Sequence, residues 1–390
     1  MIKNDGLFIE KEFAIIRSNQ LLLFERNFSN IMITEIETPA YFKGRGAQVN
    51  TNNKFLQNSY VQEHLEGLDE GFLQKEKTEI IYTYPKTLIN KVESTDIGMG
   101  YSMNPYQGCE HGCIYCYARN THEYWGYSAG LDFERKIIVK KNTIEALEKH
   151  FSNKNWKPKP IMLSGNTDCY QPVERDLEIT RRILQTCLKY KHPVSVITKN
   201  ALIKRDIDIL AQLAEHKLVH VMISVTGTDE KLRSLLEPRT ASYKSRIDVI
   251  EVLSKYHIPC GVMVAPIIPG LNNHEIPDVL EQAGNAGATS AGITIVRLNG
   301  AVETIFKDWL VKNFPDRADK VWSQICECHG GKVNDSRPGV RMRGEGKIAE
   351  SIMQLFAISK TKYIKSPEER FEFNCYDFNY KANDIQLSLF

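Results

Sequence analysis

The sequence lacks any apolar run long enough to cross a bilayer. Its longest, residues 258–271, is broken by Pro259, Pro266 and Pro269, whereas a spanning helix takes about 20 apolar residues in a row. The opening residues carry no signal-peptide core, so the expectation is a cytoplasmic protein with no membrane contact. Met32 is an alternative start that one sequence does not decide. Repeats and low-complexity tracts are missing as well, which excludes a solenoid. Neither sign of charge dominates: 50 Lys and Arg face 48 Asp and Glu, a formal net charge of +2, so no global field announces a partner. A disulfide scaffold is also excluded. Nine cysteines in 390 residues are sparse and odd in number, which fits a reducing compartment. With 42% hydrophobic and 25% charged residues, what remains is an ordinary globular composition.

Three of the cysteines are clustered. Cys109, Cys113 and Cys116 lie in the run Tyr-Ser-Met-Asn-Pro-Tyr-Gln-Gly-Cys-Glu-His-Gly-Cys-Ile-Tyr-Cys-Tyr-Ala-Arg, spaced C-x3-C-x2-C, with Tyr115 before the last. Three thiolates on one loop can hold an iron–sulfur cube while ligating three of its four irons. A metal position left open is where chemistry takes place. The alternative is a structural zinc site, with His111 or His122 as the fourth ligand.

From about residue 97 short Val- and Ile-rich runs recur, at 101–104, 161–164, 194–198, 219–224, 261–265 and 292–296. Gly, Pro, Asn or Lys bound them, as for buried parallel strands. Between them, residues 174–190, 206–215 and 245–256 place apolar side chains at helical spacing. Strands alternating with helices argue for a parallel barrel or open sheet, with the site at the C-terminal strand ends. The cysteine loop follows the first strand directly. Before this, residues 1–75 are polar and without sustained period; after it, 301–325 and 348–358 read as helices flanking a basic run.

The loop resembles the signature of the radical S-adenosylmethionine (SAM) superfamily, C-x3-C-x-aromatic-C, over roughly residues 97–300. The fold this implies is α/β, a partial (β/α)6 TIM-like barrel of the radical SAM type. It would have an N-terminal arm (1–96), a helical, basic C-terminal region (301–380) and a tail (381–390). By the same resemblance, Cys109, Cys113 and Cys116 ligate a [4Fe–4S] cluster whose open iron takes the amino and carboxylate groups of SAM. Reductive cleavage would then give a 5'-deoxyadenosyl radical that abstracts hydrogen from substrate, with an electron donor such as flavodoxin or ferredoxin. Tyr115 resembles the aromatic residue near the adenine. Ser164, Gly165 and Asp168 correspond to the loop that receives the SAM amino group. Lys199 and Ser224 resemble positions holding the SAM carboxylate and ribose, and Arg239 is a further carboxylate candidate. A solvated Lys199 and a turn-capping Ser224 are the plain structural alternatives.

The wider segment from Asn104 to Arg119 resembles a bacterial subgroup related to spore photoproduct lyase, which implies a nucleic-acid substrate and DNA lesion repair. The sequence departs from that pattern at one point. Where the subgroup's relative has a hydrogen-donating cysteine, strand order places Asn166; Cys169 could substitute, or be a small buried filler.

Two features outside the barrel bear on partners. Lys332, Arg337, Arg341, Arg343 and Lys347 form a basic run interleaved with glycines, suited to phosphate contact or to a solvated face. The C-terminal Gln386, Leu387, Ser388, Leu389 and Phe390 resemble the motif by which bacterial repair proteins bind the sliding clamp. A tail docked on its own domain is the alternative. Cys326, Cys328 and His329, with Cys375, could hold a second metal, but a packed or solvent-facing loop is the expectation. The rival functions are a radical SAM enzyme acting on a peptide, protein or small metabolite, and a non-enzymatic, zinc-stabilised DNA-associated module.

Overall fold

The structure, a computed structural model, describes residues 42, 44–55, 77–96, 98–365 and 371–382. Apart from Phe42 these lie in one compact unit, Gly44–Phe390. The strands are β1 (Glu79–Thr83), β2 (Ile89–Lys91), β3 (Tyr101–Met103), β4 (Tyr106–Gln107), β5 (Lys136–Lys140), β6 (Ile161–Leu163), β7 (Val194–Thr198), β8 (Val219–Ser224), β9 (Cys260–Ile267) and β10 (Ser290–Ile295).

β3, β6, β7, β8, β9 and β10 pair in that order, all parallel, and β2 closes the β3 edge in antiparallel sense. These six parallel strands are the ones the alternating apolar runs mark. One face of each of β7, β8 and β9 is fully buried, for example at Val194, Val196, Val219, Val221, Val262 and Val264, while Ile197, Met222 and Met263 on the opposite face are half-buried. Neither face is open to water, which is why the sequence shows near-continuous apolar runs there. The second sheet, β1-β5-β4, has β1 parallel and β4 antiparallel to β5. Residues assigned from sequence to the arm thus form β1 and β2, and β1 finds its partner more than fifty residues later.

The helices are α1 (Leu131–Arg135), α2 (Thr143–Phe151), α3 (Glu174–Leu177), α4 (Ile179–Tyr190), α5 (Ile207–Glu215), α6 (Glu230–Leu236), α7 (Tyr243–Lys255), α8 (Ile276–Asn285), α9 (Ala301–Asn313), α10 (Ala318–Glu327) and α11 (Gly346–Tyr363). The expected helix over 174–190 is broken at Glu178, whose φ is +50°. The break turns Glu174 inward, where its carboxylate accepts the Thr180 amide, the Tyr106 hydroxyl and Arg205. The expected helix over 301–325 divides at Pro315, which cannot supply a helical N–H and disfavours helix at the residue before it. Among the described residues no helix is long and apolar enough to cross a membrane.

The main core joins the barrel strands to α4, α5, α7 and α8. A second core contains Cys113, Ile114 and Tyr115 with Leu236, Ile268, Leu298, Phe306 and Trp309. The cysteine loop is therefore itself a packing element, wedged between barrel and C-terminal helices.

Candidate active site

The loop between β4 and the 3₁₀ helix Tyr117–Trp125 is held from two sides. On one side is Arg119, fully buried against an equally buried Glu134. Its guanidinium donates to the carbonyls of Cys113 (3.0 Å), Gly112 (3.2 Å), Ala129 (3.2 Å) and Gly130 (3.0 Å), and to Glu134 Oε1 (2.5 Å). Glu134 also accepts the amides of Gly46 (3.1 Å) and Ala47 (2.8 Å). The planar fork of arginine suits this task; a lysine offers a point charge instead. Gly112 sits at φ +68°, and a Cβ there would meet Glu134 Oε2 at 2.8 Å, so the turn and the close approach both require glycine.

On the other side the segment after α6 acts as a clamp. Ile114 N–H donates to Leu236 O (3.0 Å) and Arg239 N–H to His111 O (3.2 Å). The Tyr115 hydroxyl donates to Glu237, which also accepts Thr226 Oγ1 (3.0 Å) and Arg246. Glu237 and Arg246 are both fully buried, and Arg246 additionally donates to Ser224 O (3.0 Å) and Ala241 O (2.9 Å).

The three thiols lie close enough to act on one another's ionisation. Burial pushes Cys109 up, reinforced by Asp168 and the other two thiols. Burial also raises Cys113, with Glu237 adding and Lys199 opposing, and it raises Cys116 against Arg119. Burial favours the neutral thiols, so metal loading must release their protons. Among the described residues no three His, Cys, Asp or Glu side chains converge on a single ion. The two histidines weighed as a fourth zinc ligand are otherwise placed. His111 Nδ1 faces Asp168 (3.4 Å) and its Nε2 meets Asn200 (3.1 Å), while His122 is buried between the rings of Tyr127 and Phe133.

The remaining candidates separate into exposed chemistry and internal structure. Lys199 ends β7; its amide donates to Asp168 (2.8 Å) and its ammonium lies 6.0 Å over the Tyr115 ring. No hydrogen bond or ion pair among the described residues engages that ammonium, though its charge acts on Cys113 and Cys116. Asp168, by contrast, accepts Thr198 Oγ1 (2.8 Å), the Tyr170 and Lys199 amides and His111. Burial opposes its ionisation, but His111 and those amides outweigh burial and hold it at about 2. Its charge is thus spent on joining β6, β7 and the cysteine loop. Ser164 (φ +68°) accepts the Cys169 amide at 2.7 Å, and a Cβ on Gly165 would meet Ser102 Cβ at 3.2 Å. The Gly165 carbonyl accepts the Tyr117 hydroxyl. Ser224 is buried and Arg239 pairs with Glu110 (3.2 Å). Cys169 is 0% exposed in the main core, which favours packing over hydrogen donation. Asn166 hydrogen-bonds Asn104, Gln107 and Thr121.

The basic run is less uniformly charged than its sequence suggests. Arg337 pairs with Asp335 (2.6 Å) and Glu345 (2.6 Å), and Arg341 with Asp96 (2.5 Å). Lys332, Arg343 and Lys347 remain exposed. The run reaches the barrel: Ile295 N–H donates to Met342 O (3.0 Å) and Leu298 N–H to Val333 O (2.9 Å). Cys326 packs against the second core, Cys328 lies in the main core, and His329 Nε2 bonds Val296 O (2.7 Å). These three do not gather with Cys375 as metal ligands. Residues 386–390, and all of 1–75 except 42 and 44–55, lie outside the described residues.

A family model described as the radical SAM superfamily matches residues 103–283, the span from β3 to α8. The chain belongs to the radical SAM superfamily. Members of this superfamily use a [4Fe–4S] cluster and SAM. An uncharacterized protein of Mycobacterium tuberculosis is 31% identical over 234 residues, covering 59% of this chain and 69% of that protein. One of Methanocaldococcus jannaschii is 29% identical over 240 residues, covering 62% and 85%. The radical SAM barrel is also that of spore photoproduct lyase in its complex with dinucleoside spore photoproduct, with a TM-score of 0.51 over 73% of this chain and 79% of the other at 12% identity. At that identity the likeness is one of fold.

Sequence reasoning missed Glu134, Glu237, Arg246 and Arg297. Arg119 lies within the motif, but its carboxylate partner is fifteen positions on, in no recognisable spacing. Glu237 neighbours Arg239 in Leu-Glu-Pro-Arg-Thr, and nothing local marks it as the residue that reaches Tyr115.

Proposed function

We propose that this radical SAM protein is an enzyme acting on nucleic acid, with damaged DNA as its substrate class. In this reading Cys109, Cys113 and Cys116 hold the cluster, and Lys199 takes the SAM carboxylate. The observation that carries the reading is the set of three thiols, two buried and one partly buried, on one loop at the mouth of a six-stranded parallel barrel, beside a lysine ammonium that no hydrogen bond or ion pair among the described residues engages. When bound, the cluster and SAM supply one-electron cleavage of a sulfonium, leading to hydrogen-atom abstraction from the substrate. The chain's own part is positional. Arg119 and Glu134 fix the loop backbone, Glu237 fixes Tyr115, and the second core keeps water from the thiols. Gly165 lends backbone at the end of β6.

The nucleic-acid part rests on the exposed Lys332 and Arg343 in a loop bonded to the end of β10, and on the exposed Lys347 in the first turn of α11. It rests also on a fold shared with a spore photoproduct lyase complexed with dinucleoside spore photoproduct, and on the sequence of the tail, Gln386–Phe390, which resembles a clamp-binding motif. A thiol donor at Cys169 is not part of this proposal, because that sulfur is enclosed in the core.

Anaerobic reconstitution tests the chemistry. About four irons per chain are expected, with 5'-deoxyadenosine formed from SAM by the wild type and not by Cys113→Ala. One zinc and no iron would overturn it. Incubation with irradiated and undamaged oligonucleotides, followed by mass spectrometry, tests the substrate; products only from added peptide would replace it. Deleting residues 386–390 should abolish capture by the sliding clamp.

A further inference from the structure

Beyond β10 the chain is pinned on both sides of one side chain. Val296 N–H donates to Ile267 O (2.8 Å), Leu298 N–H to Val333 O (2.9 Å), and both residues are buried. Arg297 between them is half-buried at the C-terminal end of the sixth barrel strand. It makes no hydrogen bond or ion pair among the described residues. Other arginines drawn toward the interior are engaged: Arg119 with Glu134, Arg246 with Glu237, Arg205 with Glu174 and Asp206, Arg341 with Asp96. A guanidinium carries five donors and no acceptor, so leaving one partly out of water without a partner is costly.

Its surroundings say what is missing. Arg297 feels the charge of Arg341, Asp96 and Tyr117. The Asp96 carboxylate is already committed, accepting Arg341 and the Gly339 amide (2.6 Å). Two guanidiniums therefore share one carboxylate, and the corner carries a net positive charge at the barrel mouth. Burial, with Arg341 adding, lowers the Arg297 pKa from its ordinary value.

We propose that Arg297 binds an anionic group of the substrate, a phosphate or phosphodiester, through the paired donors of its guanidinium. This deepens the nucleic-acid reading above and rests on it for the source of the phosphate. Arg341, held by Asp96, stabilises the bound charge at longer range.

The test uses full-length protein with its cluster reconstituted anaerobically, as wild type, Arg297→Gln and Arg297→Lys. One arm measures thermal stabilisation by inorganic phosphate against chloride at matched ionic strength. The other follows anisotropy of a fluorescein-labelled single-stranded DNA across salt concentrations. Phosphate should stabilise the wild type and not Arg297→Gln. The glutamine variant should bind DNA about tenfold more weakly, with its log–log salt slope shallower by about 0.7, the value for one phosphate contact on a single strand. Arg297→Lys should fall between, since it keeps the charge and loses the fork. Unaltered phosphate stabilisation and DNA binding in Arg297→Gln overturn the proposal, as does a loss confined to SAM binding. A phosphate response that depends on Arg297, in a wild type that binds no DNA, supports the anion site and refutes the nucleic-acid source.

Discussion

Arg119 shows how one side chain can decide whether a metal-binding loop exists. It gathers two carbonyls of the cysteine loop, two from the segment before α1 and a buried carboxylate. Removing it leaves Glu134 charged and unpaired in the interior, which costs about 3–5 kcal/mol. Arg119→Ala is therefore expected to lose most of its stability in urea unfolding and to reconstitute with little iron. Arg119→Lys should recover some stability but not full cluster content. Gly112→Ala tests the turn by a different route: the positive φ and the 2.8 Å approach to Glu134 predict a loss of about 1–3 kcal/mol, and iron content should fall with it. The cysteines were legible because their chemistry is local in sequence. Glu134 was not, because a buried pair is chosen by the three-dimensional path between α1 and the loop.

At the scale of elements, the segment after α6 joins the cysteine loop to the barrel, and its two classes of bond can be separated. Tyr115→Phe removes one hydrogen bond to Glu237 and should cost about 1 kcal/mol. Glu237→Gln also strands Arg246, fully buried beneath it, and should cost about 3–5 kcal/mol. A double-mutant cycle read by chemical unfolding of the apo protein should show coupling between the two positions; strict additivity would mean that the clamp does not act as a unit. The strand pattern was readable because the six parallel strands are covered on both faces, one fully buried and the other at least half-buried in β7, β8 and β9, which keeps their residues apolar in runs. The breaks at Glu178 and the sheet β1-β5-β4 were not: the first depends on Glu174 finding Thr180, Tyr106 and Arg205, and the second pairs segments far apart in the chain.

For the molecule as a whole, the pattern of buried histidines sets a pH limit. His192 is stacked on Phe151 at 4.2 Å, accepts from Trp156 Nε1 (3.1 Å) through Nε2 and meets Pro193 O (3.0 Å) through Nδ1. That neutral tautomer has no site for a second proton without breaking the tryptophan bond, and burial lowers its pKa to about 3. Burial lowers His122 to about 4. Between these values and the ordinary histidine pKa near 6.5 the unfolded chain binds more protons. Stability should thus be complete above about pH 6.5 and fall as pH drops, by about 1.4 kcal/mol per unit for each histidine. Urea titrations of the apo protein from pH 7.5 to 4.5 check this, and His192→Gln should make the slope shallower by up to one proton's worth.

What the sequence determined by itself was whatever depends on short range: the three cysteines with their aromatic neighbour, the six buried strands, the helices between them and the superfamily they imply. Tertiary structure alone decided which charges are free. It occupied Asp168, Arg337 and Arg341 with protein partners, enclosed Cys169 in the core, and left the Lys199 and Arg297 cations without a hydrogen bond or ion pair among the described residues. The reason is physical. A side chain's charge is available for chemistry only if folding has not already neutralised it, and the neutralising groups come from elements that the sequence keeps far apart.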